Sequence, residues 1–552
     1  MPKMVSLLSS VILLCVVGAA SCFKNPIIPG FNPDPSIARK GNDYFLVTSS
    51  FEFFPGVPIY HSKDLIKWTV IGHALNRPSQ LDLRGTAPSG GVFAPTLRYN
   101  QKTDTFYMVT TVFHIINPPD NTTVTPRSLY VTTKNILDDN SWSDPTYVDQ
   151  YGFDGDLFFD DNGKTYFSST FGSGDLGYPD SGYFAIWTTE IDVKTGNSLT
   201  ESRFQLASPF TNPRLNEAPH IFKRGGKYHL LTADSGTENN HKTMHYVADS
   251  VYGPWTANPN NPLLFNGRNA SQPVLATGHA DIIQTPSGDW YAVFLATRPQ
   301  NPPNSAGYPQ LGRETFLAPA SWTSDGWLKI NDGKDITLDM PGLYKLDRPK
   351  IWRDDFRGKF TDKAWYTQRT PYKQFHKFVN GGLRLFGNVY TLDDRETPAA
   401  FFRKQEDLNV IFSTQLDFTP TSPRHEAGIT VFLSIWYHNE VGLTLHPETK
   451  VRTVFVKTRT GPMAELKTIY APTAEAGPVN LFIKAEPNQY SLGYSVGGGN
   501  VTYLATVENR WLQSYVQGWQ NFVGTHFGVY SLAGRLPMLI PADFKYVQTQ
   551  LL

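Results

Sequence analysis

The chain has 552 residues, with 49 Lys+Arg against 49 Asp+Glu and a formal net charge of zero. No basic surplus points to nucleic acid, and no acidic tail points to disorder. Charged residues make up 18% and aromatics 14%, with 44 Gly and 41 Pro. That balance favours an all-β chain of more than one domain over a helical one.

Residues 1–22 open on Met1-Pro2-Lys3, continue through an apolar run from Val11 to Val17 and close on Gly18-Ala19-Ala20-Ser21-Cys22. A basic start, a short apolar centre and a small-residue end predict a secretory signal peptide and a secreted, extracellular protein. Cys15 and Cys22 are the only cysteines. The rest of the chain therefore holds no internal disulfide, and its stability must come from core size. Asn121, Asn269 and Asn500 open Asn-x-Ser/Thr sequons, which are candidate glycan sites. No later apolar run is long enough for a membrane helix.

From residue 23 to about 335 one pattern recurs five times: an apolar residue, a polar turn, then a strand opening on tyrosine. The copies pair Ile37 with Tyr44, Leu97 with Tyr107, Leu157 with Tyr166, Ile221 with Tyr228 and Ile282 with Tyr291. The tyrosines are 63, 59, 62 and 63 residues apart. Turns such as Asp161-Asn162-Gly163 and Gly225-Gly226 are hairpin signals between short β runs. A unit of this length with several strands predicts one four-stranded blade, and five units predict a five-bladed β-propeller. Residues 336–351, rich in Pro and charge, read as a linker. Alternating runs such as 410–418, 427–434 and 490–496 then predict a β-sandwich over residues 352–552.

Aligning the copies on their apolar residue places Asp34, Ala94, Asp154, Ala218 and His279 at one position, with Glu217 one step earlier in the fourth copy. Inner strands of a propeller face one channel, so Asp34, Asp154, Glu217 and His279 are expected to converge at its mouth. Crowded carboxylates oppose one another, a cost usually tolerated at functional sites. One ionised and one protonated carboxyl suit glycoside hydrolysis, and a third carboxylate would raise the donor's pKa. A separation of ~6.5–9.5 Å across the channel would leave room for water and predict inversion. Phe51, Phe53, Phe54 and Phe93 are candidates for sugar contact. No phosphate-binding glycine loop and no zinc-ligand spacing is found.

The segments 32–36, 50–58, 91–95, 217–220 and 312–316 resemble glycoside hydrolase family 43. The nearest group is the β-xylosidases with a five-bladed catalytic propeller and a C-terminal β-sandwich. The resemblance covers essentially the whole chain after residue 22. It implies Asp34 as the general base, Glu217 as the general acid and Asp154 as the carboxylate that tunes and orients the acid. It implies Arg313 and Phe51 as ligands of the first sugar, and His279 near the channel floor. No cofactor is required; some relatives hold Ca2+ in the channel, which makes the vicinity of His279 the candidate place for that ion. Phe93 stands where relatives commonly have Trp. Asp156 stands where many carry Ser, a fourth carboxylate that could crowd the site. As the alternate residue on the strand it is expected to point away, which still leaves open which aspartate tunes the acid. Segment 524–528 resembles the one that closes the site in relatives and nominates Phe527 or His526; Asp543 falls in a C-terminal family motif.

Three functions compete. The first is an exo-acting β-xylosidase acting on xylan-derived oligosaccharides. The second is an α-L-arabinofuranosidase, or a bifunctional enzyme, trimming arabinoxylan, with the choice resting on loops 117–125 and 300–312. The third is a glycan-binding lectin with no chemistry, against which the complete acid–base set argues. No nucleic acid or membrane partner is expected.

Overall fold

The computed structural model describes residues 22–552 apart from 115–124, 173–183, 211–213, 301–308, 380, 462–465, 514 and 517–518. Most of both expected specificity loops, the sequon at Asn121, and Cys15 lie outside the described residues.

Among the described residues, five antiparallel four-stranded sheets follow in chain order. Their first strands are Ser36–Lys40, Gly91–Asn100, Phe153–Phe159, Asn216–Arg224 and Leu275–Gln284. Each lies at one edge of its sheet. Each also neighbours the first strands of the sheets before and after it, the fifth returning to the first. These are the inner strands of a closed ring. Within each sheet the inner strand turns back through a hairpin, with register pairs such as Lys40 with Asp43 and Arg224 with Lys227. Gly225 and Gly226 both have positive φ, 59° and 77°, as a two-residue hairpin matched to strand twist requires. The repeated tyrosines Tyr44, Tyr107, Tyr166 and Tyr291 are all buried and pack between sheets. The start of the chain is tied to the fifth sheet: Cys22–Lys24 pairs with Asp339–Pro341, and the Asn25 side chain bonds the backbone of Leu317 in both directions at 2.9 Å.

From residue 351 two larger sheets pack face to face. One is built on Val410–Asp417, Val479–Glu486 and Pro541–Leu551, the other on Ala399–Lys404, Glu426–Ser434, Tyr437–Leu445 and His526–Leu532. Alternate residues such as Phe412, Leu416, Val431, Leu443, Leu481 and Val529 are fully buried between them, the pattern expected of inward-facing strand positions.

The sandwich docks on the first sheet. Phe53–Phe54 pairs with Thr367–Gln368 as a two-stranded ribbon. Phe53 stacks on His526 at 4.0 Å and meets Phe402 edge-on at 6.1 Å. Arg369, fully buried, donates from Nε and Nη2 to the Thr86 carbonyl at 2.8 and 2.6 Å. Phe53 therefore serves domain packing and the Phe54 side chain joins the core between the first and second sheets, which corrects the expectation that they touch sugar. A cavity of about 730 Å³ also opens near this seam, lined by Tyr60, Trp68, Arg348, Tyr366, Arg403 and Lys404 among others. None of the three candidate carboxylates lines it.

Candidate active site

The aligned positions share one backbone device. Asp34, Ala94, Asp154, Ala218 and His279 have φ of 55°, 29°, 54°, 52° and 54°, a left-handed conformation that non-glycine residues seldom adopt. In the second to fifth sheets the inner strand shifts register across this point, between Phe93 and Thr96, Phe153 and Asp156, Glu217 and His220, and Gly278 and Asp281. Each bulge bends the strand and re-aims its side chains. Strain of this kind, about 1–3 kcal/mol per residue, collects where the surrounding structure holds a site in place.

Asp34 is buried and fully engaged. Arg313 Nη1 donates to its Oδ1 at 2.9 Å and Ser49 Oγ to its Oδ2 at 2.6 Å. Ser49 in turn accepts the Ala94 N–H at 2.7 Å, linking the first and second sheets. His279 Nδ1 lies 3.6 Å from Asp34 Oδ1. Burial lowers the His279 pKa to about 4, so the ring is neutral near pH 7. Glu217 is partly exposed. Its pKa is pushed up to about 8, first by desolvation and then by the negative charges of Glu238, Asp234 and Asp34. Asp154 is buried and its pKa is raised well above the carboxylate range, by desolvation first and then by Glu217 and Asp34. One carboxylate paired with arginine thus sits beside two carboxyls that retain protons.

Arg313 also donates to Thr237 Oγ1 at 3.2 Å and to the Phe522 carbonyl at 3.2 Å. Its guanidinium lies over the rings of Phe51 at 5.6 Å and Phe522 at 5.5 Å. Phe51 is 1% exposed, so it backs the arginine and offers no open face. Phe93 keeps partial exposure and packs against Phe51 and Phe113, both at 4.7 Å. The wall continues through Phe153 at 6.1 Å from Phe113 and Phe184 at 5.2 Å from Phe153.

The sandwich residue at this site is Phe522, stacked on Phe51 at 5.8 Å, its N–H accepted by Ser89 Oγ at 2.9 Å. Phe527, expected at the pocket, is 1% exposed and stacks on Phe412 at 4.8 Å inside the sandwich. Alternation along His526–Leu532 explains the correction: Phe527 points into the sandwich and His526 out towards Phe53. Asp543 forms a two-pronged pair with Arg384, at 2.7 and 2.6 Å, within the sandwich sheet.

Residues 23–328 match the model of the glycosyl hydrolases family 43. The chain belongs to glycoside hydrolase family 43. Residues 353–550 match a second model, the β-xylosidase C-terminal concanavalin A-like domain. The chain is 34% identical over 540 residues to a non-reducing end α-L-arabinofuranosidase of Bacteroides ovatus, covering 96% of this chain and 94% of the relative. It is 29% identical over 560 residues to a β-xylosidase of Bacillus subtilis, covering 95% and 98%. Among solved structures, the xylan β-1,4-xylosidase of Bacillus halodurans superposes with a TM-score of 0.86 at 29% identity, covering 96% of this chain and all of that one. This family 43 chain is accordingly a glycosidase, of a family whose members invert the anomeric centre.

Besides Phe522, two features of this family 43 site were not foreseen. Glu238, the leading charge acting on Glu217, lies just beyond the end of Lys227–Asp234. The only sequence signal was its place after a strand that rises from the outer hairpin towards the mouth. The second feature is the ion pair of Asp156, whose Oδ1 accepts from Arg98 Nε at 2.9 Å. Asp156 therefore neither crowds the three carboxyls nor competes with Asp154. The channel below His279 does not fit Ca2+. The Arg98 guanidinium engages both carboxylates there, Asp156 and, at 2.7 Å, Asp281.

Proposed function

We propose that the chain is an exo-acting β-xylosidase that releases xylose from the non-reducing end of xylo-oligosaccharides. The observation that carries this reading is Glu217, held protonated near pH 7 beside the arginine-paired Asp34. Asp34 acts as general base and takes a proton from the attacking water. Glu217 acts as general acid and protonates the departing glycosidic oxygen; Asp154 orients it, and the charges of Glu238, Asp234 and Asp34 keep the proton on Glu217. Both roles are of the kind inverting glycosidases divide between two carboxyls. Arg313 and the half-exposed ring of Phe93 hold the terminal sugar, with Phe51 behind the arginine. Phe522, brought by the sandwich, closes one side of the mouth, which favours removal of terminal units. A chain of zero net charge needs no steering of an uncharged substrate. Export is part of the same reading, supported by the leader-like composition of residues 1–22. Asn269 and Asn500, both exposed, would be available for glycans.

The second reading, an α-L-arabinofuranosidase acting on arabinoxylan, is favoured by the relative in Bacteroides ovatus. Product profiles separate the two. Purified protein should convert xylotriose to xylose through xylobiose and release little arabinose from arabinoxylan. Arabinose as the dominant product, with xylo-oligosaccharides left intact, would replace the first reading by the second.

A further inference from the structure

One layer below the three carboxyls, each of the five inner strands contributes a polar residue: Ser36, Arg98, Asp156, His220 and Asp281. Arg98 joins them. Its Nε donates to Asp156 Oδ1 at 2.9 Å, its Nη1 to Asp281 Oδ2 at 2.7 Å and its Nη2 to His220 Nδ1 at 2.9 Å. The carboxylates then reach across to the next blade. Asp281 Oδ2 accepts Ser36 Oγ at 2.7 Å and the Ile37 N–H at 3.2 Å, and Asp156 Oδ2 accepts the Ile221 N–H at 2.9 Å. Ser36 Oγ accepts the Leu97 N–H at 3.0 Å. The belt therefore laces the fifth sheet to the first, the first to the second and the third to the fourth, with Arg98 spanning the rest.

The electrostatics depend on one side chain. Asp156 and Asp281 are 1% and 5% exposed, and two carboxylates at that depth need a cation. Arg98 supplies it with the planar donor fork that matches carboxylate oxygens. Because Arg98 donates to His220 Nδ1, the proton of that ring sits on Nε2. Nε2 is buried and has no hydrogen-bond partner among the described residues.

We propose that Arg98 is the resident cation of the channel, a positioning residue doing the work a divalent ion would do. Without it, Asp156, Asp281, His220 and Ser36 become an oxygen- and imidazole-lined site for Ca2+. Hard oxygen donors with two carboxylates suit that ion. The belt sits directly under the left-handed turns that carry Asp34, Asp154 and His279, so its loss should reach the reaction through their placement. The catalytic part of this inference rests on the proposed function; the metal-binding part does not.

The experiment compares the wild type with Arg98→Ala and Arg98→Lys, each with EDTA or with millimolar CaCl2. It reads metal content by elemental analysis, Ca2+ binding by calorimetry, thermal midpoint and xylosidase turnover. The wild type should carry no stoichiometric metal and change in neither midpoint nor turnover. Arg98→Ala should lose about tenfold or more in kcat in EDTA, bind Ca2+ near one equivalent, gain several degrees in midpoint as a native-state ligand confers, and recover turnover. Arg98→Lys should fall between the two without a calcium response. Stoichiometric metal in the wild type, or inactivation of it by EDTA, would overturn the proposal. So would a folded Arg98→Ala that binds no Ca2+ or that keeps full turnover in EDTA. If Arg98→Ala does not fold, the wild-type metal content and the Arg98→Lys response decide the matter. Absence of xylosidase activity in every sample would count against the proposed substrate alone, because metal content and calorimetry are read without it.

Discussion

Glu217 owes its protonated state to its surroundings, and that gives it a measurable signature. Desolvation and the charges of Glu238, Asp234 and Asp34 hold its pKa at about 8. A reaction that needs Glu217 protonated runs below that pH and is lost as pH rises through it. The kcat/KM profile should therefore fall on the alkaline side with an apparent pKa near 8. Removing the leading charge, by Glu238→Gln, should move that limb to lower pH; an unmoved limb would show that Glu238 does not set it. Asp34, Asp154 and Glu217 were legible from the sequence because the repeat register places them together, and the left-handed φ shared by all five aligned positions is the physical form of that register. Phe522 and Glu238 were not, because neither lies on a repeated position, and their neighbours are set by packing of distant segments. Phe527 was misread because its place in the strand sends it into the sandwich core.

Among the elements, the ribbon of Phe53–Phe54 with Thr367–Gln368 decides how the sandwich meets the propeller. Arg369 anchors it. Its own N–H donates to the Glu52 carbonyl at 2.7 Å while its guanidinium donates to the Thr86 carbonyl and, at 3.3 Å, to that of Asp394. Glu52 is fully buried, and desolvation raises its pKa to about 7 against the opposing influence of Arg369. Substituting Arg369 by Ala would strand the Thr86 carbonyl and remove the nearest cation from Glu52. Buried losses of this type cost about 2–4 kcal/mol. Urea unfolding monitored by fluorescence should show that loss as a lowered midpoint at unchanged slope. A change below about 1 kcal/mol would mean that the seam is held by its aromatic contacts alone.

For the whole molecule, composition already pointed to the architecture: abundant Gly, Pro and aromatics with no cysteine after Cys22. Periodicity then supplied the five sheets, because hairpin turns and buried tyrosines recur at nearly constant spacing and a closed ring needs equal units. The docking of the sandwich was legible only as a second domain, since contacts between segments hundreds of residues apart leave no periodic trace. Two domains nevertheless make one site: the propeller supplies the carboxyls, and the sandwich supplies Phe522 against Phe51 and Arg313. The central claim for that site is the division of labour between Asp34 and Glu217. Leaving-group dependence tests it most directly, by turnover of Glu217→Ala and Asp34→Ala on xylobiose and on an aryl β-xyloside with a good leaving group. Loss of an acid matters little when the departing group needs no proton, whereas loss of the base matters for every substrate. Glu217→Ala should lose about 10²–10⁴-fold on xylobiose but retain most of its rate on the aryl xyloside, while Asp34→Ala fails on both. Equal losses of Glu217→Ala on both substrates, or an Asp34→Ala enzyme near full rate, would contradict the assignment.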